Sequence, residues 1–201
     1  MSTKIKICGI STLKDIIEIS NMDVDMLGIV SEKNSPRFAK SQFLEIAKHF
    51  STKPIVYVRA NGKICDIIKD GEKADIIQIH RILEDNELDE LTTYNRKFIL
   101  YVPGDEKYEK YIDKVYKVTD LALLDSPRKG EKLNLSYARK VLNNYPDLGI
   151  AGGINPSNIK NYIELNPAWI DISSGVESFP GKKDLDKIKT IIGVLKWKYI
   201  Q

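Results

Sequence analysis

The sequence is poor in cysteine and histidine, which limits the chemistry that it can support. Its 201 residues include two cysteines and two histidines. A secreted domain held together by disulfide bonds needs more cysteines than Cys8 and Cys65, so we expect both thiols to be free. The cysteines and histidines also lack the spacing that is typical of a metal site. The sequence therefore predicts neither a disulfide framework nor a bound metal.

Long apolar runs and dense blocks of charge are also missing. No apolar stretch approaches the roughly 20 residues of a membrane helix, and residues 1–10 do not have the pattern of a secretory signal. A cytoplasmic location is the resulting expectation. The net charge of +3 is spread along the chain, so nucleic acid and anionic membranes are not expected partners. The length and the apolar content of 42% predict a single globular domain over 1–201.

The chain does contain an alternation of short apolar runs and longer amphipathic stretches, the pattern of βα units around a parallel sheet. Strands are predicted at 4–10, 25–30, 54–59, 75–80, 97–102, 120–125, 147–152 and 168–173. Helices are predicted at 13–20, 41–50, 64–70, 86–94, 106–115, 136–144, 158–164 and 185–198. This number of units closes an α/β barrel of the (β/α)8 (TIM barrel) type. An open, doubly wound sheet is the alternative that the same alternation permits.

Polar residues at the ends of the predicted strands indicate where the chemistry lies, because active sites of such barrels form where the strands end. The period of two places Lys6 with Cys8 on one face of the first strand and Gln78 with His80 on one face of the fourth. Asp125 ends the sixth strand. If Cys8 faces the barrel mouth, a thiol and a carboxylate converge on one cavity. The alternative is that Cys8 is a small buried residue and Asp125 an N-cap or turn residue.

Two glycine-containing segments follow the seventh and eighth predicted strands, where such barrels commonly bind a phosphate group. They are 151–156 (AGGINP) and 173–177 (SSGVE). Glycines let backbone N–H groups approach an anion, and a helix that begins just after the loop adds its positive end. Either segment alone also occurs in ordinary turns. The candidate phosphate-binding residues are Gly152, Gly153, Ser173, Ser174 and Gly175.

Five segments along the chain form a recognisable set: 6–10 (KICGI), 35–38 (SPRF), 124–126 (LDS), 151–156 (AGGINP), and 171–177 (DISSGVE) with 180–184 (PGKKD). In that order they resemble the opening strand, the arginine loop, the end of the sixth strand and the two closing signatures of one family, the phosphoribosylanthranilate isomerases of tryptophan biosynthesis. The resemblance extends along the whole chain, and the closing signature is its most specific part.

The resemblance implies an isomerase that carries out an Amadori rearrangement. The reaction converts N-(5-phosphoribosyl)anthranilate to 1-(2-carboxyphenylamino)-1-deoxyribulose 5-phosphate without a metal or an organic cofactor. By the resemblance, Asp125 is the general acid that protonates the furanose ring oxygen, and Cys8 is the general base that removes the C2′ proton. Arg37 holds the anthranilate carboxylate, because a guanidinium matches a carboxylate with two hydrogen bonds. The alternative for Arg37 is a surface turn residue.

These roles need unusual protonation states. Asp125 has to be protonated near neutral pH, which requires a raised pKa. Cys8 has to be a thiolate, and a pKa near roughly 8.5 leaves only a small fraction ionised unless phosphate-binding dipoles and nearby cations lower that pKa.

Two segments depart from the family pattern at the active face. The fourth strand of the family ends in Gln-Leu-His-Gly, whereas this chain has QIHR at 78–81, and the sixth loop has one glycine and several charges in place of Gly-Gly-Thr-Gly. His80 is expected to shape the sugar pocket or to form a hydrogen-bonded rim. Arg81, Arg128 and Lys129 are expected either to place cations over the mouth, where they strengthen the binding of a doubly anionic substrate in a salt-dependent way, or to be solvated.

The remaining candidates are assigned structural roles. Trp169 and Trp197 are expected to pack in the core or against helices. His49 is expected on the surface, and Cys65 is expected to be a buried structural thiol.

Inside the barrel the sequence predicts a buried ion pair between Lys6 and Asp171. The period of two directs both residues inward, and the first and last strands are neighbours when a barrel closes. The alternative is that either residue points elsewhere.

Three functions remain compatible with the sequence. They are the isomerase, another sugar-phosphate barrel enzyme such as an epimerase or an indole-forming synthase, and a non-catalytic barrel that binds a phosphorylated ligand. The pairing of Cys8 with Asp125 favours the isomerase. The sequence does not indicate an oligomeric state.

Overall fold

The computed structural model describes residues 3–128 and 130–198, and its central feature is a closed barrel of parallel strands. The strands are β1 (Lys4–Cys8), β2 (Met26–Val30), β3 (Ile55–Arg59), β4 (Ile76–Ile79), β5 (Lys97–Pro103), β6 (Ala122–Asp125), β7 (Gly149–Ile150) and β8 (Trp169–Ile172). Each strand pairs with the next, and β8 closes on β1 with Lys6 opposite Asp171. The predicted (β/α)8 barrel is confirmed, and the open sheet is excluded.

A helix follows each strand of the barrel in the described part of the chain. The helices are α1 (Leu13–Ser20), α2 (Phe43–Phe50), α3 (Ile64–Asp70), α4 (Asp85–Thr92), α5 (Glu109–Tyr116), α6 (Leu135–Asn144), α7 (Ile159–Ile163) and α8 (Leu185–Lys198). Polar side chains begin several of them: Thr12 accepts a hydrogen bond from the N–H of Asp15 at 3.1 Å, and Asn134 caps α6. The predicted start of the fifth helix is instead a separate 3₁₀ turn, Glu106–Tyr108.

A short hairpin between β8 and α8 was not predicted. It follows a 3₁₀ turn, Ser174–Val176, and consists of β9 (Glu177–Phe179) and β10 (Lys182–Lys183), which pair in antiparallel orientation. Gly181 has a φ of +86°, a conformation that favours glycine, and it lies in the turn of the hairpin. The hairpin brings charged side chains of the closing signature next to the carboxyl ends of the strands.

The apolar residues form two layers. Ile5 and Ile7 belong to the outer layer, between the barrel and the helices, whereas Cys8 lies in the inner layer with Val56 and Trp169. This confirms the predicted orientation of the first strand and the core position of Trp169. A Cβ at Gly149 would lie 2.1 Å from the indole of Trp169, so this glycine leaves the room that the indole fills.

The structure corrects one prediction among the residues that were assigned structural roles. Cys65 is exposed rather than buried, because α3 buries the face that contains Ile64 and Ile67. Both thiols are free, and His49 lies on the surface as predicted. The side chain of Trp197 and all of Lys129 lie outside the described residues. Across residues 3–128 and 130–198, no helix has the length and apolar content needed to cross a membrane.

Candidate active site

A cavity of about 580 Å³ lies at the carboxyl ends of the strands. It brings together the predicted acid, base and carboxylate ligand and both glycine segments. Nine of the candidate site residues line it, whereas Arg81 and Arg128 do not: the nine are Cys8, Arg37, His80, Asp125, Gly152, Gly153, Ser173, Ser174 and Gly175. Residues from opposite sides of the barrel therefore meet at one place.

A second cavity, of about 710 Å³, lies at the opposite end of the barrel. Its Asp75 accepts the N–H of Ile55 at 2.9 Å, and its Arg96 donates to the carbonyl of Ala74 at 2.6 Å. These contacts connect strand starts and loops, so we assign this end of the barrel to stability. In the described ranges, no three His, Cys, Asp or Glu side chains are grouped so that they could hold a metal ion.

Cys8 ends β1 in a space that Gly28 leaves open. A Cβ at position 28 would lie 2.8 Å from Sγ of Cys8 and 3.1 Å from Nζ of Lys6, so the thiol and the ammonium group border the same small volume. Burial raises the pKa of the Cys8 thiol, and the cations of Lys6 and Lys183 oppose this rise. The cations weaken the effect of burial without reversing it, so the lowered pKa that would make the thiolate abundant is not found.

The predicted buried ion pair is present. Nζ of Lys6 lies 2.8 Å from Oδ2 of Asp171, and their side chains are 0% and 8% exposed. Burial alone would lower the pKa of Lys6, but Asp171 and Cys8 reverse that effect and raise it. Lys6 is therefore a cation at neutral pH, held directly beside the thiol.

Asp125 ends β6, where burial and its polar neighbours have opposite effects on the pKa of its carboxyl group. Its carboxylate accepts the N–H of Ser126 at 2.7 Å and lies 3.4 Å from Nε2 of His80, whose Nδ1 is 3.2 Å from the amide of Gln78. A Cβ at Gly152 would lie 3.0 Å from Oδ1 of Asp125, so the glycine leaves room for the carboxyl group. Burial raises the pKa of Asp125 despite the opposing effects of His80 and Ser126. This is the direction that a general acid requires.

Arg37 lies in the loop after β2, and its side chain passes over Gly9. Gly9 has a φ of +81°, and a Cβ there would lie 2.4 Å from Cδ of Arg37, so a larger residue would collide with it. Nε and Nη2 of Arg37 donate to the two carboxylate oxygens of Glu177, both at 2.7 Å. Glu177 also accepts a hydrogen bond from Nζ of Lys183 at 2.8 Å. Glu177 and Lys183 were not predicted as site residues, although both lie in the closing signature, because the glycines of that segment indicate only a backbone contact with an anion.

The two glycine segments pack against each other. Gly152 and Gly153 have φ angles of +99° and +74°. A Cβ at Gly175 would lie 1.8 Å from the carbonyl oxygen of Ile154, so only glycine fits at this contact. The hydroxyl of Tyr162 donates to the carbonyl of Gly152 at 2.5 Å. This packing places both loops at one end of the cavity.

Arg81 does not line the cavity. Its two Nη atoms donate to the carboxylate oxygens of Glu87 at 2.7 and 2.6 Å, and Nη2 also contacts the carbonyl of Gly62 at 3.3 Å. Glu87 lies in the first turn of α4, where it belongs to a capping box. The structure therefore does not support the predicted cation over the mouth at this position. Arg128 is 81% exposed and lies 3.6 Å from Glu131.

Tyr101 forms one wall of the cavity. It was not predicted as a site residue, because it lies within the apolar run of the fifth strand. Its ring centroid is 4.8 Å from that of His80. Burial, and then the charge of Asp125, raise the pKa of Tyr101 to about 12. The phenol is therefore a neutral hydrogen-bond donor, and its hydroxyl contacts the carbonyl of Ser126 at 3.3 Å.

Comparisons with known proteins agree with this geometry. The sequence model of N-(5'phosphoribosyl)anthranilate (PRA) isomerase matches residues 5–194. An N-(5'-phosphoribosyl)anthranilate isomerase of Saccharolobus solfataricus is 45% identical over 196 residues, which cover 96% of both chains. The solved phosphoribosyl anthranilate isomerase of Thermotoga maritima superimposes with a TM-score of 0.82 at 26% identity, covering 96% of this chain and 98% of that one. A further solved isomerase, in complex with reduced 1-(o-carboxyphenylamino)-1-deoxyribulose 5-phosphate, has a TM-score of 0.78 at 26% identity and the same coverage. The chain thus belongs to the N-(5'-phosphoribosyl)anthranilate isomerase family.

Proposed function

We propose that the cavity at the carboxyl ends of the strands performs the reaction of this family, the Amadori rearrangement of N-(5'-phosphoribosyl)anthranilate in tryptophan biosynthesis. The protein is an isomerase acting on a phosphorylated small molecule. The observation that carries the residue assignment is that Cys8 and Asp125 line one cavity together with two packed glycine loops. A related isomerase binds a reduced form of the product, which has the phosphate and carboxylate groups that the substrate also has.

Asp125 is the general acid of the first step. Its proton passes to the furanose ring oxygen while the bond from that oxygen to C1′ breaks, and the nitrogen lone pair forms the C1′=N bond of a protonated Schiff base. Burial raises the pKa of Asp125 in the direction that this role needs. The N–H of Ser126, at 2.7 Å, holds the carboxyl group in place and stabilises the carboxylate that remains.

Cys8 is the general base of the second step. Its sulfur takes the proton from C2′, the electrons of that C–H bond form the C1′=C2′ double bond, and the electrons of the C1′=N bond return to nitrogen. The resulting enol gains a proton at C1′ and loses the proton of its C2′ hydroxyl to become the ketone of the product. Lys6 supports the step because a cation beside the sulfur favours the thiolate. Because burial raises the pKa of Cys8, the thiolate is the minor form near neutral pH, but each thiolate that forms is a stronger base.

Two anion sites orient the substrate between these groups. The backbone of the glycine loops, at Gly152, Gly153 and the turn Ser174–Val176, binds the phosphate group. Arg37 binds the anthranilate carboxylate, and His80 lies beside the acid at the wall of the cavity. Because the two proton transfers account for the rearrangement, we propose that no metal or organic cofactor takes part. We further propose one domain over 1–201 and a cytoplasmic location.

The test is turnover of freshly prepared N-(5'-phosphoribosyl)anthranilate by the purified protein, followed by the loss of anthranilate-type fluorescence. We expect a loss that depends on protein concentration. Cys65→Ala provides the matched control, since it removes the exposed thiol and should turn over at the wild-type rate. If the wild-type protein does not increase the rate above that of the buffer, the proposed function is wrong.

A further inference from the structure

We propose that Glu177 and Lys183 are positioning residues, which orient Arg37 and set the net charge around it for the carboxylate of the substrate. This inference rests on the proposed function, in which Arg37 binds that carboxylate. It extends the site from the carboxyl ends of the strands to the hairpin formed by β9 and β10.

The contact between Arg37 and Glu177 fixes one edge of the guanidinium. Glu177 takes Nε–H and one N–H of Nη2, both at 2.7 Å, and its side chain is 4% exposed. A guanidinium carries five N–H groups in a plane, so the edge formed by Nη1 and the second N–H of Nη2 remains for another carboxylate. Arg37 itself is 17% exposed and lines the cavity. Held in this way, it presents its remaining edge without having to give up rotamer freedom when the substrate binds.

Glu177 is itself held by several donors. Besides Arg37, it accepts hydrogen bonds from Nζ of Lys183 at 2.8 Å and from the N–H of Gly181 at 3.3 Å. Gly181 lies against the arginine loop, since a Cβ there would be 3.2 Å from the carbonyl oxygen of Pro36. The carboxylate of Glu177 therefore has little freedom to rotate, and it holds the guanidinium of Arg37 in one orientation.

Lys183 gives the group formed with Arg37 and Glu177 a net positive charge. Arg37 and Glu177 alone would sum to zero and would offer an anionic substrate little attraction. Lys183 has a fully buried side chain that contacts Glu177 and also donates to the carbonyl of Ser173 at 3.2 Å. Burial lowers the pKa of Lys183, and the hydrogen bond and charge of Glu177 oppose that change. With Lys183 protonated, the three groups carry one net positive charge, which matches one carboxylate.

A competing role for Glu177 predicts the opposite sign. If Glu177 only occupied Arg37 and competed with the substrate, its removal would free the guanidinium and lower KM. If Glu177 positions Arg37, its removal raises KM. Steady-state kinetics of Glu177→Gln therefore separates the two roles.

We expect Glu177→Gln to raise KM roughly tenfold, the size of effect typical of hydrogen bonds to charged groups, and to change kcat much less. Glu87→Gln is the matched control, because it breaks another Arg–Glu pair with two hydrogen bonds, which lies outside the cavity. Its KM should equal that of the wild type. Glu177→Asp keeps the charge but shortens the side chain, and it replaces Glu177→Gln in the same comparison if that variant does not fold.

Calorimetry with two inhibitors shows whether the variants weaken binding of the carboxylate in particular. One is the reduced product analogue, and the other is its phenylamino counterpart without the carboxylate. Glu177→Gln and Lys183→Met should each weaken the first inhibitor and leave the second unchanged. A lowered or unchanged KM, or equal weakening of both inhibitors, would overturn the proposal. Because inhibitor binding needs no turnover, this result is independent of whether the wild-type protein catalyses the reaction.

Discussion

Lys6→Met tests the ion pair in the barrel interior, because it removes the cation and leaves a buried carboxylate alone. Nζ of Lys6 lies 2.8 Å from Oδ2 of Asp171, and the side chains are 0% and 8% exposed. Oδ1 of Asp171 already has no hydrogen-bond partner among the described residues, so the substitution leaves both oxygens unpaired. Breaking a buried pair in this way costs about 3–5 kcal/mol. For a chain of this length, the loss corresponds to a fall in Tm of roughly 6–20 °C.

Thermal unfolding and urea unfolding near pH 7 measure this loss. Lys189→Met is the matched control, because Nζ of Lys189 lies 2.9 Å from Oδ1 of Asp186 in a pair whose side chains are 64% and 90% exposed. Exposed pairs contribute little, so this control should melt close to the wild type. Lys6→Met combined with Asp171→Leu should be more stable than Lys6→Met alone, since no charge stays buried. An unchanged Tm for Lys6→Met, or the same small loss as in the control, would refute the reasoning.

Three further substitutions have defined outcomes. Asp125→Asn should raise Tm near pH 7 but not below about pH 4. Burial raises the pKa of Asp125 in the folded protein, so the wild type loses stability as the pH rises from the unfolded-state pKa to the folded-state pKa of this group. Thermal melts over a pH series measure this, and a difference in Tm between variant and wild type that is the same at every pH would contradict it. Arg81→Gly should leave KM unchanged at low and high salt, because Arg81 pairs with Glu87 outside the cavity, whereas a salt-dependent rise in KM would restore its predicted binding role. Gly28→Ala should lower kcat, because its methyl group would lie 2.8 Å from Sγ of Cys8, and a wild-type kcat would show that the space is not needed.

The barrel could be predicted because each strand has a local signature. Alternation in the first strand directs Ile5 and Ile7 to the helices and Cys8 to the interior, and the structure has this arrangement. The hairpin of β9 and β10 has no such signature. Its strands have three and two residues and contain charged side chains whose partners lie elsewhere in the chain, such as Arg37. Its formation depends on tertiary contacts that a local pattern does not contain.

The candidate site could be predicted as far as strand direction determines it. A period of two specifies which face a residue occupies, but not the partner that a long side chain reaches. Arg81 could therefore be located at the active end of β4, but its pairing with Glu87 could not be foreseen. For Cys65 the signal was present, because the helical period continues the buried face from Ile64 to Ile67 and leaves Cys65 outside. The general tendency of cysteine to be buried predicts the wrong environment at this position.

The most direct test of the two-residue mechanism is kcat for Cys8→Ala and Asp125→Asn with N-(5'-phosphoribosyl)anthranilate. Each variant should reduce kcat by at least about a hundredfold, the lower end for a positioned acid or base. Affinity for the reduced product analogue should be kept, because neither residue lies in the glycine loops, and the donors to the Glu177 carboxylate are Arg37, Gly181 and Lys183. A kcat close to that of the wild type in either folded variant would contradict the assignment of that residue as acid or base.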